Sequence, residues 1–287
     1  MKAAHGARQG GRHFRIRLLA ALKHLVIGLL SLLILIPFWA MIVNSFKGGE
    51  EAAIPTLALP LEWHVIDNYA TVIERGKLVR AFLNSVIITA ASTVLILFCS
   101  TTSAFVFGRR RQRWIKRMFY LFMFGIIAPP AVVVSTRLFD ALELVGTYSG
   151  MVLYYGATFC ALPIFILTGF MTTIPRELDE AGIVDGARHS DLFARVTVPL
   201  LKPAIATCFI WIVLRIWNDF QFPLYILGGS VRKYTMVLSV YAYIGTWHVA
   251  YHYVFANLLL VSIPVIVAFL FAQRHLVQGL TAGAVKG

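Results

Sequence analysis

Two ionisable residues, Arg215 and Asp219, stand four positions apart in a long apolar stretch of the sequence. This spacing places both side chains on one face of a helix. A charge inside an apolar helix is costly, and it usually faces the interior of a protein or a watery path. The pair predicts either an ion pair that packs helices together or, with Trp217 and Asn218, the lining of a path through the apolar region.

The other residues that could do chemistry form no recognisable catalytic set. No G-x-x-x-x-G-K-[ST] phosphate loop occurs, so we expect no ATP bound by such a loop. His248 and His252 are four positions apart and are interpreted as surface or contact residues rather than as a metal site. Cys99, Cys160 and Cys208 each lie in an apolar run without metal-ligand spacing, which indicates packing residues. We therefore expect no enzymatic activity and no metal site.

Residues 175–203 form a polar segment between two apolar runs. Its acidic residues are Glu177, Asp179, Glu180, Asp185 and Asp191. Pro175 suits the first turn of a helix, and the carboxylates that follow favour the positive end of the helix dipole. Gly186 predicts a helix end or a bend. Ser190 predicts the N-cap of a second short helix, which ends at Pro199 and Pro203 as the next apolar run begins.

This polar segment has two interpretations. An apolar stripe formed by Ile174, Leu178 and Ala181 would let it rest on lipid headgroups as an amphipathic connector. Helices of that kind are rich in Lys and Arg on the polar face, whereas the first half of this segment is acidic. The acidic charge therefore favours the second interpretation, a docking surface for another protein.

The apolar runs that carry these residues indicate a membrane protein. Hydrophobic residues make up 59% of the chain and charged residues 14%, against about a quarter charged in soluble domains. Since a spanning helix needs about 20 apolar residues, we predict an all-α membrane protein with six transmembrane helices, which lie near 24–45, 82–107, 117–137, 149–172, 203–227 and 253–273. Prolines at 129–130, 163 and 264 predict kinks.

The formal net charge of +13 is attributed to topology rather than to nucleic-acid binding. Lys and Arg are kept on the cytoplasmic side of spanning helices. With both termini in the cytoplasm, most basic residues fall on that side, including those of the arm at residues 1–23. The rest, residues 24–287, is interpreted as one membrane domain with a C-terminal tail at 274–287.

The stretch "EAGIVDGARHSDLFARVTVPLLKP" resembles the EAA loop of ATP-binding-cassette importer permeases. The residues on that pattern are Glu180, Ala181, Asp185, Gly186, Ala187, Phe193, Val198, Pro199 and Pro203. Gly182 replaces the usual third alanine. "NSFKGGEE", "NSVIITAAS" and "WNDFQFPL" resemble the carbohydrate branch of this family, and the tail "GLTAGAVKG" resembles that of the shorter permease subunit of maltose-type importers.

The resemblance implies a type I importer permease in a bacterial or archaeal cell membrane. Its partners would be a second, non-identical permease, two ATPases that use ATP and Mg, and an extracytoplasmic solute-binding protein; the chain itself would bind no cofactor. The coupling residues would be Glu180, Ala181, Gly182, Asp185, Gly186, Ala187, Phe193 and Pro199. Arg215, Trp217, Asn218 and Asp219 would line the path of a sugar or polyol.

Two further expectations have open alternatives. The tail would enter the ATPase interface through Gly279, Thr281, Gly283 and Lys286, or it would be a disordered end. The outer loop at residues 228–252, with Tyr234, Tyr241, Tyr243 and Trp247, would reach the solute-binding protein or form an aromatic belt at the lipid surface.

The rival class is a stand-alone secondary transporter driven by an ion gradient. It predicts more buried carboxylates than Asp219 alone and needs no acidic cytoplasmic segment. A membrane sensor or structural protein explains neither the polar segment nor the tail.

Overall fold

A computed structural model describes the backbone of residues 3–127, 131–245 and 249–284, and the side chains of those between 20 and 270. The described part is helical and contains no strand, apart from one isolated bridge between Ile244 and Val249. In chain order the helices are α1 Ala3–Ser45, α2 Val65–Arg75, α3 Leu78–Arg109, α4 Arg113–Ile127, α5 Val132–Ala141, α6 Tyr148–Phe159, α7 Ala161–Thr173, α8 Glu177–Val184, α9 His189–Asp191, α10 Val198–Trp217, α11 Gln221–Ile226 and α12 Tyr251–Ala284.

Four described helical segments are long and apolar enough to cross a membrane. They are Ala20–Ser45, Leu78–Arg109, His189–Trp217 and Tyr251–Leu270. Two bent pairs, α4 with α5 and α6 with α7, also qualify if each pair forms one span, which gives up to six. The predicted all-α membrane protein is thus confirmed, and six spans is the upper end of what the helices allow.

The bend between α6 and α7 follows from Pro163. The two helices meet at an angle of 49° at Cys160. A proline ring has no N–H and clashes with the carbonyl four residues earlier, here that of Phe159, the last residue of α6. The predicted kink at Pro163 is confirmed. Pro264 lies inside the continuous helix α12, and the prolines at 129–130 lie outside the described residues.

By their internal contacts the residues group into two compact units. One comprises residues 1–70 and 243–259, and the other residues 71–242 and 260–287. In the first unit the turn after α1 is fastened by polar contacts. Lys47 is 1% exposed and donates to Thr56 Oγ1 at 2.7 Å, and Asn68 Nδ2 donates to the carbonyls of Ser45 and Lys47.

The core of the second unit lies where α3, α6, α7 and α10 pack together. Its fully buried side chains include Ile96, Met151, Leu167, Cys208 and Ile212. Small residues on α3 allow close approach, since Ser85, Ser92, Ser100 and Ala104 all face inward. The outward faces of the long helices are apolar, which suits a hydrocarbon surrounding.

Candidate functional site

The first half of the polar segment is the short helix α8. It ends in a Schellman motif, in which Gly186 N donates to Ile183 O at 3.0 Å and Ala187 N donates to Gly182 O at 2.9 Å. Gly186 has φ +82°, a left-handed conformation that glycine adopts without steric cost. The helix end predicted at Gly186 is confirmed.

The second half differs from the prediction. The helix starts at His189, after Arg188, whose backbone N–H donates to Asp191 Oδ2 at 3.2 Å; Ser190 is therefore not the N-cap. Nor does the helix stop at Pro199 or Pro203. It continues to Trp217 through a π-helical turn at Leu192–Thr197. Pro199 falls in the first turn of α10, where a missing N–H is tolerated, and Pro203 lies inside α10.

Arg109, the last residue of α3, holds α8 in place. Its Nη1 donates to the carbonyl of Ile174 at 2.9 Å, and its guanidinium pairs with the carboxylate of Asp179, with Nη2 at 3.3 Å from Oδ1. The two side chains are 11% and 15% exposed. From the sequence, Asp179 was predicted only as one of several carboxylates near the helix dipole and Arg109 was not singled out, although a basic residue at a helix end and an acidic helix farther along the chain were visible signals.

Two apolar contacts join α8 and the π-helical turn to their neighbours. A Cβ on Gly182 would come within 2.5 Å of Leu192 Cδ2, so α8 lies directly against the π-helical turn. Phe193 packs edge-on against Phe105 of α3, with ring centroids 5.6 Å apart. The helix α8 is therefore in contact with the helix that becomes α10, which Phe193 in turn packs against α3.

The opposite side of α8 is not covered by the described residues. Glu180, Ala181, Asp185, Gly186 and Pro199 are exposed, whereas Gly182, Ala187 and Phe193 are half-buried. Of the predicted stripe, Leu178 is exposed and Ile174 half-buried, and Val184 is 86% exposed. The surface combines carboxylates with apolar side chains, a composition suited to a protein partner that carries basic residues.

Arg215 and Asp219 do not share one helix, because α10 ends at Trp217. The ion pairs of the described residues do not include this couple. Arg215 and Asp219 each contact a residue of α6 instead. Asp219 Oδ2 accepts from Tyr155 Oη at 2.9 Å and Oδ1 accepts from Gln221 N at 3.1 Å, while the Arg215 guanidinium lies 5.4 Å from the ring centre of Phe159.

The structure brings only part of the predicted pathway set together. Arg215 borders a cavity of about 210 Å³ whose walls include Thr158 and Trp211. Trp217 lies elsewhere, with its ring edge-on to Phe82 at 5.9 Å. Asn218 is exposed, and its Nδ2 donates to the carbonyl of Leu214 at 2.8 Å. Arg215 and Asp219 are thus linked through α6, and Trp217 is separate from them.

The outer loop is more buried than its sequence suggests. Tyr234 and Tyr243 are buried, and Tyr241 is 42% exposed. Asn84 of α3 fastens the start of the loop, since its Nδ2 donates to the carbonyls of Arg232 and Tyr234. Trp247 and His248 lie outside the described residues, and His252 is buried with its ring 3.9 Å from that of Tyr253.

Part of the tail lies within α12, which continues to Ala284 and contains Gly279, Thr281 and Gly283. Their side chains, and all of Lys286, lie outside the described residues. In the described part, no group of three His, Cys, Asp or Glu residues could hold a metal ion.

Comparison with known proteins identifies the family. Residues 96–282 match the binding-protein-dependent transport system inner membrane component. The melibiose/raffinose/stachyose import permease protein MelC of Bacillus subtilis is 31% identical over 256 residues, which cover 88% of this chain and 91% of that protein. The probable starch degradation products transport system permease protein AmyC of Thermoanaerobacterium thermosulfurigenes is 30% identical over 259 residues, covering 90% and 93%.

A solved structure shows the same fold. A chain of a bacterial ABC transporter involved in the import of the acidic polysaccharide alginate superimposes with a TM-score of 0.76 at 19% identity, covering 90% of this chain and 96% of that chain. The expected importer-permease fold is confirmed by this likeness.

Proposed function

Because this chain belongs to the family of binding-protein-dependent transport system inner membrane components, we propose that it forms half of the pathway of a sugar importer and couples that pathway to ATPase subunits through residues 175–203. Its membership in a family of inner membrane transport components also makes it a permease rather than an enzyme. The relatives are named for the import of melibiose, raffinose and stachyose and for the transport of starch degradation products, which favours an oligosaccharide or a related polyol as the substrate.

This proposal rests on two features of α8. One side of the helix is exposed, and the other side is held by contacts with α3 and with the π-helical turn. An ATPase that grips the exposed carboxylates and apolar side chains would push a body tied to α3 by the Arg109–Asp179 ion pair. The same push would reach Leu192 through Gly182. A flexible loop could not transmit displacement in this way.

The continuous helix His189–Trp217 supplies the path for that displacement. It is 29 residues long, and at 1.5 Å per residue it extends about 40 Å, enough to cross a membrane. One end lies beside α8 and the other carries Arg215 and leads to Asp219. Movement at the ATPase would therefore alter the position of the polar groups around Tyr155.

The proposed assembly contains a second, non-identical permease, two ATPases that use ATP and Mg, and an extracytoplasmic solute-binding protein. Both termini would lie in the cytoplasm, where the tail at residues 274–287 would reach the ATPase interface. The outer loop would lie on the opposite side and meet the solute-binding protein.

Reconstitution tests the proposal directly. Proteoliposomes that contain the complex of this chain with its partner permease and ATPases would be given ATP inside, with solute-binding protein and a panel of labelled oligosaccharides and polyols outside. We expect uptake of one of these solutes that needs both ATP and the binding protein and that a protonophore and a sodium ionophore do not abolish. If this chain alone took up solute, and this uptake stopped when the ion gradient was dissipated, the protein would instead be a secondary transporter.

A further inference from the structure

A large cavity lies away from the coupling and pathway residues, between the end of α3, the start of α4, and α7. It is a groove of about 560 Å³, within the range of roughly 300–1,000 Å³ found for small-molecule sites. Phe107, Phe119 and Phe165 form much of its wall, and Ile115 is buried beside them. A groove with such walls takes an apolar ligand.

The rim of the same groove is basic. Arg110, Arg111 and Lys116 line it, and none of the three is paired with a carboxylate among the described ion pairs. The Lys116 ammonium instead lies 6.0 Å from the ring centre of Tyr120. Three neighbouring cations without a counter-ion repel one another, and an anion placed among them would relieve this repulsion.

The position along the helices indicates a membrane surface. Arg109 ends α3 and Arg113 begins α4, so the rim lies where two helices meet the polar boundary. Trp114 and Tyr120 are exposed in the first two turns of α4, and exposed Trp and Tyr near a helix end are typical of the interfacial aromatic belt. Concentrated basic residues place this boundary on the cytoplasmic side.

We propose that this groove binds one anionic phospholipid, with its phosphate among Arg110, Arg111 and Lys116 and its upper acyl chain along the phenylalanine wall. A free phosphate would leave the aromatic wall uncovered, and a neutral lipid would leave the cations unpaired. An anionic phospholipid would cover the aromatic wall with its acyl chain and pair with the cations through its phosphate. It would also brace α3 against α4 and α7, next to the Arg109 anchor of α8.

Native mass spectrometry of the detergent-solubilised complex tests the site. Phosphatidylglycerol and phosphatidylcholine with the same acyl chains would be titrated in parallel, and inorganic phosphate would be added as a competitor. We expect the phosphatidylglycerol to bind more tightly and to remain bound when phosphate is added. Equal binding of the two lipids, or displacement by phosphate, would overturn the proposal.

Variants localise the binding to the groove. A basic side chain in contact with the lipid phosphate contributes about fivefold to the affinity, so Arg110→Gln with Arg111→Gln and Lys116→Gln is expected to lose roughly 100-fold. Arg113→Gln with Arg117→Gln is the matched control, since neither residue lines the groove; its affinity should stay within about threefold of wild type. A loss in the control as large as that in the groove variant would mean that the charge of the whole segment, rather than this site, holds the lipid.

Gly169→Leu provides a second variant that keeps every charge. A Cβ at Gly169 meets nothing within 4 Å and Gly169 lines the groove, so a leucine side chain there would extend into the groove, and glycine is a poor helix former in any case. We expect assembly of the complex to be unchanged and phosphatidylglycerol binding to be lost. If the charge variant failed to assemble, this variant would decide, and unchanged lipid binding by it would refute the site.

Discussion

The guanidinium of Arg109 and the carboxylate of Asp179 join the end of a long helix to the first turn of a short one. Since Arg109 also binds the carbonyl of Ile174, one side chain fixes both the end of α7 and the orientation of α8. The exposed face of α8 is thereby held at a set angle to α3, and in the proposed coupling a push on it would move α3 rather than bend the connection.

Replacing Asp179 with Asn tests this anchor. The change leaves the Arg109 charge largely buried without a counter-ion, and breaking such a pair costs about 2–4 kcal/mol, less than for a fully buried one. We expect a lower melting temperature of the solubilised complex and ATP hydrolysis that no longer depends on the solute-binding protein. Glu177→Gln, an exposed carboxylate on the same helix, is the control and should behave as wild type. If both variants stayed coupled, the ion pair would have no role in transmission.

Gly186→Ala tests the end of α8. No atom lies within 4 Å of the added Cβ, so the only penalty is the positive φ, which costs about 1–2 kcal/mol for a residue other than glycine. We expect weaker association with the ATPase, measured by copurification. Gly169→Ala is the matched control, because it also meets no neighbour but lies inside α7, where alanine stabilises a helix by about 0.5–1 kcal/mol. Loss of association in the control, or none in Gly186→Ala, would contradict the argument.

Glu180→Lys tests the face that meets the ATPase. Glu180 is exposed and forms no ion pair in the described structure, so reversing its charge leaves the permease fold unchanged. A lysine placed opposite a basic residue of the partner would repel it. We expect normal amounts in the membrane but no uptake and no bound ATPase, as judged by fractionation and copurification. Normal substrate-stimulated hydrolysis in this variant would remove Glu180 from the coupling surface.

The outer loop provides a separate prediction. Tyr243, an obvious choice from the sequence, is buried against Tyr253, so its replacement would disturb folding rather than docking. Tyr241 is 42% exposed and is the better probe. We expect Tyr241→Asp to raise the concentration of solute-binding protein that gives half-maximal hydrolysis, while Tyr241→Phe does not. An unchanged dependence in both variants would indicate an interfacial lipid contact.

Local patterns in the sequence predicted the apolar spans, the kink at Pro163 and the helix end at Gly186, because each depends on a few neighbouring residues. The Arg109–Asp179 pair was not predicted, because its partners are far apart in sequence and meet only through the packing of α3 against α7. Pro199 was taken as a helix end. The helix instead continues past it, because Pro199 directly follows the π-helical turn and falls in the first turn of α10, where a missing N–H is tolerated.

Asp219 separates the proposed importer from an ion-coupled transporter. Its two oxygens accept from Tyr155 Oη and Gln221 N. An asparagine can keep both contacts, because its carbonyl accepts from Gln221 and its amide donates to the phenol oxygen, which has acceptor capacity. In an ATP-driven importer, Asp219→Asn should therefore transport within about threefold of wild type, whereas Asp219→Leu, which leaves both donors unpaired, should lose about 1–3 kcal/mol of stability. If Asp219 carried a proton or sodium ion, the asparagine variant would abolish uptake as completely as leucine. Uptake by the two variants in the same proteoliposomes, with their melting temperatures, distinguishes a structural acceptor from an ion carrier.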